Sequence, residues 1–415
     1  MATDTPVLQQ VPTDAAAAAV TKSDFFEDPT DFSLVQGGPL FQFLLRAGLI
    51  KPSMDLAMRR IVVISLVAWA PLLLLSALSG HAVGGVGVPF LFDLGAHVRF
   101  LLCVPLLIAA EVIVHRRMKV TVRQFIDRGI VAPEDQPKFE RIIASAMRVR
   151  NSVFVEVLLL AFAIVAGYWV GKRYLALEMA TWYARPIGDR TQFTPAGYWY
   201  LFVSLTIFRF ILVRWYFRLF VWYRFLWQVS RQIPLRLNAL HPDRAAGLGF
   251  LSSSAFAFAP VLFAQTIGLA GIMGGKIWHE GAKLPQFKME IAIWIVFLVL
   301  LVLTPLFFFV LQLAAAKRKG LREYGIVASR YIDDFHRKWI DGHSASDEAL
   351  VGTADIQSLA DLSNSFDVVR EMRVVPFDRA AVIRLALVTA LPLAPLALTI
   401  IPLDQLIDRA FGLLI

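Results

Sequence analysis

The sequence predicts an all-α polytopic membrane protein with about seven transmembrane helices, and three observations carry that expectation. The chain of 415 residues is 57% hydrophobic and only 18% charged, whereas a soluble domain carries about 25% charge. Its mean hydropathy is +0.62, and the apolar residues fall in blocks long enough to span a bilayer. The stretch from Ala196 to Gln232 is nearly all apolar, holds fourteen aromatics between Tyr198 and Trp227, and meets no proline until Pro234. As one helix it would run roughly 55 Å, more than the thickness of a bilayer core.

The elements follow in order. Residues 1–38 are polar, with an alanine run from Ala15 to Ala19 and acids at Asp24, Glu27, Asp28 and Asp31. They read as a disordered cytoplasmic tail. The N-terminus lacks the basic and apolar regions of a cleaved signal peptide, so the first hydrophobic segment is expected to direct insertion. Leu40 to Ile50 is apolar but too short to span, and Pro52 follows it; an interfacial helix is expected there. Seven spans are expected at 61–78, 94–114, 153–170, 198–217, 250–272, 291–314 and 382–401, making 39–415 one membrane domain. Prolines at 105, 260, 305, 392 and 395 lie inside them, which membrane helices tolerate when neighbours re-satisfy the freed carbonyls.

Lys and Arg counts orient the chain. The segments 1–60, 116–151, 217–248 and 317–378 together hold twenty-eight, and the opposite loops hold eight. The N-terminus is therefore expected in the cytoplasm and the C-terminus outside. The cytoplasmic side has helical regions at 116–151, 218–248 and 315–378. Leu321, Tyr324, Ala328, Tyr331, Phe335 and Trp339 recur at spacings of three and four, an amphipathic pattern. Such stripes pack against one another into a collar or dock a partner, and both remain open. The net charge of +9 fits the positive-inside bias and anionic lipid at the cytoplasmic face, not nucleic acid. A single cysteine, Cys103, allows neither a disulfide within the chain nor a thiolate metal site. No internal repeat supports an inverted-repeat transporter.

The second span carries the most ordered polar pattern. On a regular helix Asp93, His97, Glu111 and His115 fall within roughly 40° of one another. They form two acid–His pairs on one stripe, which should face the bundle interior or a cavity. Three roles are open. The stripe lines an ion or proton path, with the histidines titrating near neutral pH. Or its acids neutralise Arg209 and Arg214 of the fourth span. Or it binds metal, although each cluster offers two ligands where a closed zinc site takes four. Glu156 of the third span is a second partner for an arginine, and Gln265 of the fifth suits an interhelical hydrogen bond. The arginines of the fourth span are spaced by five, four, six and seven residues, not every third residue as in a voltage sensor. Arg218, Arg224 and Arg231 are expected at the cytoplasmic interface. At the mouth of the fifth span, His241, Pro242, Asp243, Arg244, Gly247 and Gly249 form a turn that is either structural, with Asp243 as a cap, or a gate or ligand site. No HExxH and no nucleophile–base elbow occurs, so an enzyme has little support, and no catalytic residue, metal or cofactor is expected.

The stretch His241 to Leu251, and the one from Asp355 through Val375, Pro376 and Phe377 into the last span, resemble a group of uncharacterised bacterial multi-pass membrane proteins. The resemblance implies a bacterial inner membrane and transfers no functional residue. The leading expectation is a channel or transporter for a small ion or proton, with Asp93, His97, Glu111 and His115 facing Arg209 and Arg214 across a cavity. The alternative is a membrane-embedded scaffold or signalling component whose cytoplasmic helices bind a protein partner or a second copy.

Overall fold

The computed structural model of the chain describes residues 32–35, 37–46, 48, 57–174, 180–187, 190–342 and 354–399. The expected tail before Phe32 and the chain beyond 399 lie outside the described residues. The elements are α1 Pro39–Arg46, α2 Ala57–Leu78, α3 Leu94–Asp127, α4 Gln136–Arg150 and α5 Val153–Tyr174. A small antiparallel hairpin follows, β1 Ala184–Ile187 and β2 Arg190–Phe193, with Ala184 opposite Phe193. Then come α6 Pro195–Gln232, α7 Leu248–Glu280, α8 Leu284–Trp339, α9 Ala354–Arg370 and α10 Arg379–Ala397.

Among the described residues six helices, α2, α3, α6, α7, α8 and α10, are long and apolar enough to cross a membrane. The pair α4–α5, bent by 43°, brings the number to seven if it is counted as one span. The bend has a local cause. Ser152 Oγ accepts from the Val155 backbone N–H at 3.4 Å and caps a new helix where α4 has ended. Large apolar side chains such as Leu74, Phe154, Val157, Phe162, Ile293 and Leu300 are exposed, which suits lipid contact better than water. The hairpin is an addition to the expected all-α architecture. It lies between the third and fourth spans and pins the loop after α2 through a bridge from Val88 to Thr181. Thr194 then starts α6, its Oγ1 accepting from the Gly197 N–H at 3.0 Å.

The prolines mark the irregular turns. Pro105 cannot donate to the carbonyl four residues back, and the helix before it, Val98–Cys103, widens into a π segment. Pro260 sits where α7 breaks after Phe258, and Pro305 lies in a 3-10 stretch, Thr304–Phe309, within α8. A second π segment, Tyr200–Ser204, lies in α6.

The main core joins α3, α4, α6, α7 and α8 around Phe125, Phe139, Trp215, Trp222, Phe225, Phe258 and Phe309. Phe32, Leu34 and Val35 belong to it, within the stretch expected as a polar tail. Phe32 is fully buried, its ring 4.8 Å from Phe225 and 5.8 Å from Trp222. A second core at the other end packs Phe90, Phe100 and Trp182 against α2 and α6. Helix α7 lies against the first turns of α3 on a row of small residues that the sequence reading passed over. A Cβ added at Gly271 would stand 2.9 Å from Val98, and one at Gly274 2.6 Å from Leu94. Close backbone approach of this kind is how membrane helices gain packing contacts.

Candidate functional site

Several of the charged residues gather where α2, α3, α5 and α6 meet. Glu111 of α3 lies between two guanidiniums. Its Oε2 is 2.5 Å from Nη2 of Arg60 on α2, and its Oε1 is 2.6 Å from Nη2 of Arg218 on α6. All three are almost completely buried. One helical turn before Arg218, Arg214 reaches Glu156 of α5 at 3.4 Å. Arg150, at the end of α4, donates to Asn151 Oδ1 and to the Ser33 carbonyl. Arg218 also lies over the Trp215 ring at 4.6 Å. Arg60, Arg150, Arg214 and Arg218 thus surround the carboxylates of Glu111 and Glu156. The space among Gly37, Arg150, Glu156, Arg214 and Arg218 is about 10 Å³, room for about one water.

This corrects one expectation. Glu111 is met by Arg60 and Arg218, not by Arg209 or Arg214. Arg218 is buried between helices and is not a surface charge. The physical reason is helical phase: Arg214 and Arg218, four apart, share the face of α6 that turns to α3 and α5. Arg209, five residues before Arg214, is rotated away. It lies against Gly167 of α5, where an added Cβ would stand in the guanidinium's place. Its Nη1 is buried without a partner among the described residues. Arg60 was missed because Arg59 and Arg60 at the head of a span read as ordinary positive-inside charge.

The single polar stripe of the second span is also corrected. The π segment Val98–Cys103 accommodates an extra residue, which turns the lower half of α3 by about 100° relative to a regular helix. Asp93 and His97 therefore belong to a different environment from Glu111 and His115. Asp93 caps α3, its Oδ1 accepting from the Ala96 N–H and its Oδ2 from Trp182 Nε1, both at 2.9 Å. His97 Nδ1 accepts from Trp69 Nε1 at 2.9 Å, leaving its Nε2 to donate to the Leu91 carbonyl at 3.2 Å. His115 Nδ1 lies 2.8 Å from Ser33 Oγ. The acid–His pairing expected for Asp93 and His97 is replaced by two tryptophan contacts. Arg99 donates to Tyr200 Oη at 2.6 Å, joining the two π segments. Gln265 accepts from Tyr216 Oη, as an interhelical hydrogen bond. It borders a cavity of about 190 Å³ with Arg99, Phe208 and Trp294.

The turn from His241 to Gly249, before α7, is held by its own side chains. Asp243 Oδ1 accepts from the Ala245 and Gly247 N–H groups at 2.8 and 3.1 Å, and Oδ2 from the Gly249 N–H at 2.8 Å. His241 Nδ1 is 2.9 Å from Oδ1. Burial opposes ionisation of Asp243, but the three backbone donors and His241 outweigh it and hold the carboxyl below its usual range. The backbone here is unusual. Arg244 and Ala246 have φ of 53° and 54°, and Gly247 has 97°. Left-handed non-glycine residues persist only when surroundings hold them. Gly249 has no room for a side chain, since its Cβ would sit 2.8 Å from Asp243 Oδ2. Pro242, with its fixed φ, precedes this knot. Arg373 ties it to the last span, its N–H donating to the Arg244 carbonyl and its Nη2 to the Asp243 carbonyl, both at 2.7 Å.

Among the described residues no three His, Cys, Asp or Glu side chains gather closely enough to hold a metal ion. No family model, no curated protein and no solved structure matches the chain.

Proposed function

We propose that the chain is a membrane-embedded scaffold or signalling component, set by its resemblance in a bacterial inner membrane, whose cytoplasmic helices engage a protein partner or a second copy. One observation carries the reading: Glu111 is held between Arg60 and Arg218, and all three are almost completely buried. A buried carboxylate held between two guanidiniums is a poor relay for ions or protons, because its charge is already satisfied. The cytoplasmic end supplies the complementary feature. Helix α8 continues from the membrane to Trp339 and pairs with α9. Asp355 accepts from Lys338 Nζ at 2.9 Å and Trp339 Nε1 at 3.0 Å, and Tyr331 donates to its carbonyl. Ile326, Val327, Ile332 and Ile356 on this pair are exposed, a surface suited to docking.

Ion flux in proteoliposomes tests the proposal against the channel or transporter alternative. The expected result is no flux across pH and ion type for the wild type, Glu111→Gln and Arg209→Gln alike. A wild-type flux abolished by Glu111→Gln, in protein that still folds, would overturn it.

A further inference from the structure

A cavity of about 380 Å³ opens beside the mouth turn, where α3, the start of α7 and α10 come together. Three guanidiniums border it from three elements: Arg117 of α3, Arg373 of the segment before α10, and Arg384 of α10. Ser252 and Ser253 of α7 add hydroxyls.

The carboxylates at its edge are committed elsewhere. Asp243 has its oxygens on three backbone N–H groups. Asp378 caps α10, accepting from the Ala381 N–H at 2.7 Å, and meets Arg373 only at 3.7 Å. The arginines are correspondingly under-used. Arg117 lies over the Phe256 ring at 5.8 Å. Arg384 is exposed and gives its Nε to the Ala380 carbonyl at 3.3 Å. Arg373 gives its Nη2 to the Asp243 carbonyl, but its Nε is buried with no partner among the described residues.

We propose that this cavity binds a phosphate monoester group, with Arg117, Arg373 and Arg384 as its charge partners and Ser252 as a neutral donor. Guanidinium forks match phosphate oxygens in geometry as well as charge. The volume falls in the range of ordinary ligand sites, larger than one phosphate needs, and Phe256, Phe377 and Leu385 supply apolar wall beside the charged end. That division fits the head and first carbons of a phosphatidic-acid-like lipid at the cytoplasmic interface. Inorganic phosphate offers the same head without the apolar part. The inference does not depend on the scaffold reading, since a channel could carry the same site.

The test measures binding to the purified full chain of dioctanoyl phosphatidic acid, dioctanoylglycerol and inorganic phosphate. The expected result is binding of phosphatidic acid, at least tenfold weaker binding of dioctanoylglycerol, and a loss of about tenfold to a hundredfold in Arg384→Gln, the range for a charged hydrogen bond. Ser252→Ala should weaken binding by less. Arg379→Gln removes an exposed charge of the same helix outside the cavity and should leave affinity unchanged. Inorganic phosphate that competes with the lipid at equal affinity would support the site with a soluble phosphate as its source, and phosphate that fails to compete would support the lipid. Equal binding of the charged and neutral lipids overturns the proposal. So do equal losses in Arg379→Gln and Arg384→Gln, which would mean general surface charge. Melting curves of the variants matching the wild type exclude misfolding as the cause.

Discussion

At the scale of single residues, Glu111 is the charge around which the buried ion pairs are arranged. Its two arginine partners are buried with it, and removing the carboxylate charge leaves uncompensated guanidiniums in a low-dielectric setting. Glu111→Gln should therefore cost about 3–5 kcal/mol of stability, read as a lower Tm in nanodiscs. A variant melting with the wild type would show that the triad is not structural. Asp243 carries a pH dependence with a definite sign. Its folded-state pKa is depressed, so its contribution is full above the unfolded value of about 3.9 and is lost as pH falls through the lower folded value. Hydrogen-exchange protection of the Ala245, Gly247 and Gly249 amides should persist to below pH 4 in the wild type. In Asp243→Asn protection should already be reduced at neutral pH and show no acid step; an acid step retained in that variant would assign the titration to another group.

At the scale of elements, two local distortions decide which side chains meet. The π segment Val98–Cys103 separates Asp93 and His97 from Glu111 and His115, and a periodicity argument at 100° per residue cannot see it. Pro105 is visible in the sequence inside the span, but the change of helical phase just before it is not. The contact between α7 and α3 is equally specific. Gly271→Val places atoms where Val98 already stands and should destabilise by about 1–3 kcal/mol. Gly275→Val is the matched control, because an added Cβ there meets nothing within 4 Å. Equal Tm shifts in the two variants would remove close packing as the explanation and leave only the general cost of β-branching. The Gly268, Gly271 and Gly274 spacing was legible in the sequence, but small residues recur in many membrane helices, and only the neighbouring helix shows which face they serve.

At the scale of the whole molecule, the charge bias and the run of apolar helices imply a topology that can be measured. In a Cys103→Ser background, a cysteine at Ile326 on the α8–α9 pair should react with an impermeant maleimide only from the cytoplasmic side. One at Gln192 on the hairpin should react only from the opposite side. Labelling of both from one side would exclude seven crossings. The arrangement of cores fits such a division. The large aromatic core with Phe125, Phe225 and Phe309 lies toward the end bearing the α8–α9 pair, and the smaller one around Phe90 and Trp182 lies at the hairpin end.

Sequence alone determined that the chain is built of helices long and apolar enough for a membrane, and roughly where each lies. Hydropathy is a property of composition along the chain and needs no partner to be read. It also marked Glu111, Glu156 and Arg214 as charges whose burial demands a counter-charge, because the cost of an unpaired ion is independent of fold. The tertiary structure alone decided the pairing: Arg60 and Arg218 across Glu111, the tryptophans on Asp93 and His97, and Phe32 driven into the core. Those outcomes depend on helical phase and on which helices touch, and both are set by non-local packing and by two π turns that shift the register from which every face would otherwise be counted.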